Sequence, residues 1–175
     1  MKTGAKNIFG KILVCLDGSK IAEQILPYAA EQARQFKSRV ILFRAYIVPS
    51  SAVAADIRSG APIGPGLMRK EDKKYKQIAL DYLEGVAVSL RKKGLEVASV
   101  ARPGDAAELI IEYAHRERVG LIALVTHGHS GLGRVVFGSV AEEVLKKSGR
   151  PILLIRPKEN KSLRGYKQDL GGDNL

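Results

Sequence analysis

The sequence predicts an α/β fold: an open, doubly wound, five-stranded parallel sheet with helices on both faces. Three observations carry this. Five short apolar runs recur along the 175 residues. Helical periodicities lie between them. Strand and helix then alternate from end to end with no repeat or linker to split them. The runs KILVCL (11–16), LIALVT (121–126) and PILLIR (151–156) are near-continuously apolar, as strands covered on both faces are. VILFRAYI (40–47) and LEVASVA (95–101) are more mixed.

Each helix has its own signal. After the first run, Ser19 is a candidate cap for a stripe formed by Ala22, Ile25, Leu26, Ala29, Ala33 and Phe36. Pro27 falls inside that stripe and should kink the helix or shift its start. Over 69–93, Tyr75, Ile78, Tyr82, Val86 and Leu90 keep a helical period, and Gly94 is a stop. Asp105 and Glu108 form a D-x-x-E capping box ahead of Leu109, Ile110 and Tyr113. In the last helix Val140, Val144 and Leu145 share a face, and Glu142/Lys146 and Glu143/Lys147 pair at i,i+4. Gly149 and Pro151 end it. The expected organisation is one domain over 1–157 and a polar tail over 158–175. The long segment 48–68, rich in Pro, Gly and Ser, follows the second strand; a loop of that length is either a functional lid or disordered.

Composition narrows the function. No apolar run is long enough to span a membrane, and the start MKTGAKNIFGK lacks the core of a signal peptide. One cysteine, Cys15, excludes an internal disulfide and fits a reducing cytoplasm; inside KILVCL it reads as a buried structural thiol. The formal charge of +11 attracts anions, but its distribution argues against nucleic acid as partner. The tail carries four basic and three acidic residues, and 69–93 carries eight and four, mixed in sign like a solvated helix face.

Chemistry concentrates in THGHSGLGRVVFGS (126–139), which leaves the carboxyl end of the fourth strand and ends at a helix start. Ligands of such sheets bind beyond the carboxyl ends of the strands, where strand order reverses. Gly138 and Ser139 can leave first-turn N–H groups facing outward with a hydroxyl beside them, an anion site favoured by the helix dipole. Gly128, Gly131 and Gly133 let backbone approach a phosphate or sugar. The competing reading is a mobile loop with an ordinary cap. GxxxxGK[ST] is absent, so no Walker-type lysine is expected, and GxGxxG is incomplete. Asp17, in LDGS, could bind a ribose hydroxyl, hold Mg²⁺ near phosphates, or simply make a turn with Gly18. His127 and His129 have no carboxylate or cysteine at ligand spacing, which favours a polar or phosphate contact over a metal site. No nucleophile–base pairing or G-x-S-x-G elbow is legible.

These residues resemble the universal stress protein family over nearly all of 8–157. The family motif G-x2-G-x9-G-[ST] is met at its last three fixed positions by Gly128, the nine residues HSGLGRVVF, and Gly138-Ser139; Val125 stands where the first glycine would be. ILVCLDGS, RPGDAAELII and VAEEVLKKSGRPILLIRP are also similar to the family. The resemblance implies strand order 3-2-1-4-5, with Asp17 beside the motif loop. It implies an adenine-nucleotide site: Val125, Thr126, Gly128, His129, Ser130, Gly131, Gly138, Ser139 and Val140 at phosphate and ribose, Asp17 at ribose or Mg²⁺, and Ala45 at the adenine. The expected protein is a cytoplasmic ATP-binding (or ADP- or AMP-binding) switch module, homodimeric through 151–156. The rival readings are a slow nucleotide hydrolase and a nucleotide-free interaction protein.

Overall fold

A computed structural model of the chain describes residues 7–50, 58, 65–126 and 138–158. The strands are β1 Lys11–Cys15, β2 Arg39–Tyr46, β3 Val97–Pro103, β4 Leu121–Val125 and β5 Ile152–Ile155. They form one all-parallel sheet in the order β3-β2-β1-β4-β5, as the resemblance implied. β1 lies at the centre: Ile12 pairs with Val40 of β2 on one side and with Leu121 of β4 on the other.

A 3-10 turn, Ala22–Ile25, leads into helix α1, Leu26–Phe36. Pro27 sits in the first turn of α1, where a missing N–H breaks no helical bond, so it shifts the start rather than kinking the helix. Ser19 Oγ accepts from the Ala22 N–H at 3.0 Å, at the entry to the 3-10 turn, but it does not cap the helix as its position predicts: α1 starts later, with Ile25 as N-cap and no side-chain cap. Helix α2 runs Pro65–Arg91, four residues longer at its start than the periodicity indicated. It stops at Gly94, whose φ of +79° suits glycine. Helix α3, Ala106–Arg116, is capped by Asp105, whose carboxylate accepts from the Glu108 N–H at 3.0 Å. Helix α4 is Ser139–Lys147, and its two predicted ion pairs form at 2.6 and 2.7 Å.

The strand pleat sends alternate residues to opposite faces, and each face has its own core. Ile12, Val14 and Leu16 meet Ile25, Ala29 and Ala33 at α1, and Leu83, Ala87 and Leu90 of α2. Leu13, Ile41 and Phe43 meet Ala107, Ile110 and Ala114 of α3, and Ala141 and Val144 of α4. Two predicted stripes are turned slightly from those observed. On α2 the buried row is Ala79, Leu83, Ala87 and Leu90, while Ile78 is half exposed. On α4 the buried pair is Ala141 and Val144, with Leu145 outside. In both cases alanine faces the sheet, because a small side chain lets the helix lie close to it.

Candidate functional site

β1 and β4 are neighbours, but the chain leaves them toward opposite faces: to α1 after β1 and to α4 after β4. The divergence opens a crevice at the carboxyl edge of the sheet. A cavity of about 260 Å³ fills it. Leu16 and Asp17 line it from the end of β1, Phe43 and Ala45 from β2, and Val125 and Thr126 from the end of β4. Gly138, Ser139, Val140 and Ala141 line it from the start of α4, and Ala22, Ala106 and Ile110 complete the walls. The structure therefore brings together Asp17, Ala45, Val125, Thr126, Gly138, Ser139 and Val140, seven of the site residues named from sequence. Gly128, His129, Ser130 and Gly131 lie outside the described residues, as does most of 48–68.

The α4 side of the cavity is built from backbone. Gly138 is the N-cap, with φ −60° and ψ 144°, dihedrals open to any residue. What glycine removes there is the side chain, so the N-cap residue itself places no capping group on the turn. The first bond of the helix is donated by the Glu142 N–H to the Gly138 carbonyl at 3.0 Å, so the N–H groups of Ser139, Val140 and Ala141 precede the helical ladder. They sit at the positive end of the helix dipole, on the cavity wall. Gly138 donates its own N–H to the Thr126 carbonyl at 2.6 Å, and Thr126 donates to the Ile155 carbonyl at 2.9 Å. These two bonds tie the helix start to β4 and β5.

The β1 side is built from side chains. Asp17 Oδ1 accepts from the Ser19 N–H at 2.8 Å, closing a tight turn over Gly18, whose φ is +94°. A Cβ on Gly18 would stand 2.7 Å from Arg44 Nη2. Arg44 in turn lies 5.0 Å over the ring of Tyr82 on α2. The Tyr82 hydroxyl donates to Glu23 Oε1 at 3.3 Å. Burial, followed by the Glu23 carboxylate and then Asp17, pushes its ionisation well above the usual phenol value, against the opposing pull of Arg44. Cys15, half-buried, also lines the cavity, and burial pushes its thiol above the ordinary value. Val125 is 8% exposed and packs into the core on the α1 face, leaving little of its surface to the cavity. Among the described residues no group of three His, Cys, Asp or Glu side chains is placed to hold a metal ion.

Sequence reading missed Ala22, Ala106, Ile110, Phe43 and Arg44. Their signal was position alone: Phe43 and Arg44 near the end of β2, Ala106 and Ile110 after the β3 loop, and Ala22 in the turn after β1.

This is a doubly wound α/β protein with a ligand-sized cavity at its switch point. The chain belongs to the universal stress protein family, whose sequence model matches residues 9–156. It is 28% identical over 151 residues to the universal stress protein MJ0531 of Methanocaldococcus jannaschii, covering 86% of this chain and 84% of that one. The solved structure of MJ0577 from the same organism superimposes with a TM-score of 0.66 at 25% identity, over 87% of this chain and 99% of its own. The universal stress protein of Archaeoglobus fulgidus, solved in complex with dAMP, gives 0.53 at 22% identity, over 85% and 99% of the two chains. No helix among the described residues is long and apolar enough to cross a membrane.

Proposed function

We propose that this chain binds an adenine nucleotide in the crevice between β1 and β4 and acts as a binding or switch module rather than a dedicated catalyst. One observation carries the reading: the start of α4, where Gly138 brings no side chain, and Asp17 line the same cavity. The N–H groups of Ser139, Val140 and Ala141, with the Ser139 hydroxyl, suit phosphate. Asp17 suits a ribose hydroxyl. The adenine would lie toward Ala45, whose small side chain leaves room at the end of β2. The dAMP held by the Archaeoglobus fulgidus relative supports an adenine nucleotide as the ligand class. At about 260 Å³ the cavity matches the base and sugar better than a whole triphosphate, so the outer phosphates would lie along the α4 start.

The nucleotide we assign is ATP, or ADP or AMP, with Mg²⁺ held by Asp17 and the phosphates where a phosphate chain is present. A single protein carboxylate is enough where phosphates supply the other oxygens. Hydrolysis should be slow, since no general base is assignable on the cavity wall. Calorimetric titration with AMP, ADP and ATP, with and without Mg²⁺, tests the assignment. The expected result is one site per chain for an adenine nucleotide, the order of the three affinities naming the preferred one; no binding of any of the three defeats it. Metal-dependent turnover above about 1 per second would instead make the protein an enzyme.

The reading includes a homodimer through β5. That strand is a sheet edge, and Ile152, Leu153, Leu154 and Ile155 are all only half-buried. Light scattering at micromolar concentration should give twice the chain mass, and monomer alone would refute the pairing.

A further inference from the structure

We propose that Arg44 is a positioning residue for the nucleotide site, locking the Asp17–Ser19 turn so that the Asp17 carboxylate is presented to the cavity. Asp17 belongs to the site as read above, and the proposal rests on that reading. Arg44 is not among the residues on the cavity wall. The pleat turns it the other way from Phe43, onto the α1 and α2 face.

Its guanidinium lies against the one point of the turn that has no side chain. A Cβ on Gly18 would fall 2.7 Å from Nη2, 2.9 Å from Cζ and 3.2 Å from Nη1, so the plane of the group covers the Gly18 Cα. On its other side it stacks on Tyr82 at 5.0 Å. Tyr82 is itself held by its hydrogen bond to Glu23, and Glu23 by an ion pair with Lys20 at 2.8 Å. Glu23 lies in the 3-10 turn, whose first residue, Ala22, donates its N–H to Ser19 Oγ. The contacts close a ring: Asp17 to Ser19, Ser19 to the 3-10 turn, Glu23 to Tyr82, Tyr82 to Arg44, and Arg44 back onto Gly18. The turn at Gly18 holds a φ of +94°, and a conformation of that kind persists when its surroundings over-determine it. Arg44 is the member that touches both the turn and α2. Lysine has no flat face to lie between a glycine and a ring.

The test is a double-mutant cycle of Arg44→Ala and Asp17→Ala, titrated in the absence of Mg²⁺ with ATP and with inorganic tripolyphosphate, which then has neither a ribose nor a metal for Asp17 to hold. Arg44→Ala should weaken ATP about fivefold, and the double variant should bind no worse than Asp17→Ala alone, since residues acting as one unit are not additive. Tripolyphosphate affinity should stay within about twofold in all variants. Arg44→Lys should resemble Arg44→Ala. Tyr82→Leu, which removes the platform without touching the cavity wall, should reproduce the ATP loss and stands in if Arg44→Ala does not fold. Losses that add, an Arg44→Ala variant that binds ATP normally, or an equal loss of tripolyphosphate would overturn the positioning role. An Asp17→Ala variant with unchanged ATP affinity would overturn it together with the assignment of Asp17, whereas a normal Arg44→Ala beside a weakened Asp17→Ala defeats the positioning role alone.

Discussion

The two walls of the crevice are built in opposite ways. In the proposed site the α4 start offers backbone N–H donors, and Gly138 contributes by having no side chain. At the end of β1 the group proposed to meet the ligand is a side chain, Asp17, and the next residue, Gly18, is held at a φ that L-residues rarely adopt. A backbone wall cannot be deleted by truncation; it is broken only by adding something. A side-chain wall is broken by removing one group, and it needs neighbours to keep that group aimed. The two walls should therefore respond differently to substitution and to the parts of the ligand.

The largest effect should come from adding to the backbone wall. Gly138→Asp puts a Cβ and a negative charge where phosphate would sit, and should weaken ATP by about tenfold or more. Its dihedrals accept any residue, so circular dichroism should show the fold intact. Loss of ATP and of tripolyphosphate together is the expected signature. Asp17→Ala comes next. It removes an acceptor for a ribose hydroxyl and, measured without Mg²⁺, should weaken ATP by about tenfold while leaving tripolyphosphate nearly unchanged. If both ligands suffer equally in both variants, the division of labour between the walls is wrong.

Gly18→Ala attacks the second wall through its backbone. It strains a positive φ and drives a Cβ into the Arg44 guanidinium. The melting temperature should fall by a few degrees, for a strain of about 1–3 kcal/mol, and ATP should weaken less than in Asp17→Ala. An unchanged melting temperature would mean that Arg44 swings aside freely. Ser139→Ala should be mildest. It loses a hydroxyl but keeps its N–H, so about threefold in ATP affinity is expected by calorimetry. A loss as large as that of Gly138→Asp would shift the weight of phosphate recognition from backbone to side chain.

The contrast also explains what sequence could reveal. The strands were legible because β1 and β4 are covered on both faces and read as unbroken apolar runs. The end of α2 was legible in Gly94 and the start of α3 in Asp105, since both act on their own neighbours. The helix faces were harder. Ala79 and Ala141 give a weak apolar signal yet face the sheet, whereas Ile78 and Leu145 give a strong one and face outward. The candidate site divides the same way. Gly138, Ser139 and Asp17 lie in local patterns that carry their own chemistry. Ala22, Ala106 and Ile110 have no such pattern and reach the cavity only through the crossing of distant segments. Arg44 is further out of reach: an arginine inside VILFRAYI reads as an interruption of an apolar strand, and its part emerges only when Gly18 and Tyr82 are brought to either side of it.

The central claim is that the start of α4 holds the phosphates of a nucleotide. Amide hydrogen exchange at Ser139, Val140 and Ala141, followed with and without saturating ATP, tests it most directly. These N–H groups precede the helical ladder and should exchange quickly in the free protein. The account predicts that ATP slows all three, and that tripolyphosphate slows them too while leaving the Asp17–Ser19 turn unaffected. Unchanged exchange at these amides with ATP bound would contradict it, and would return Gly138 to the role of an ordinary helix cap.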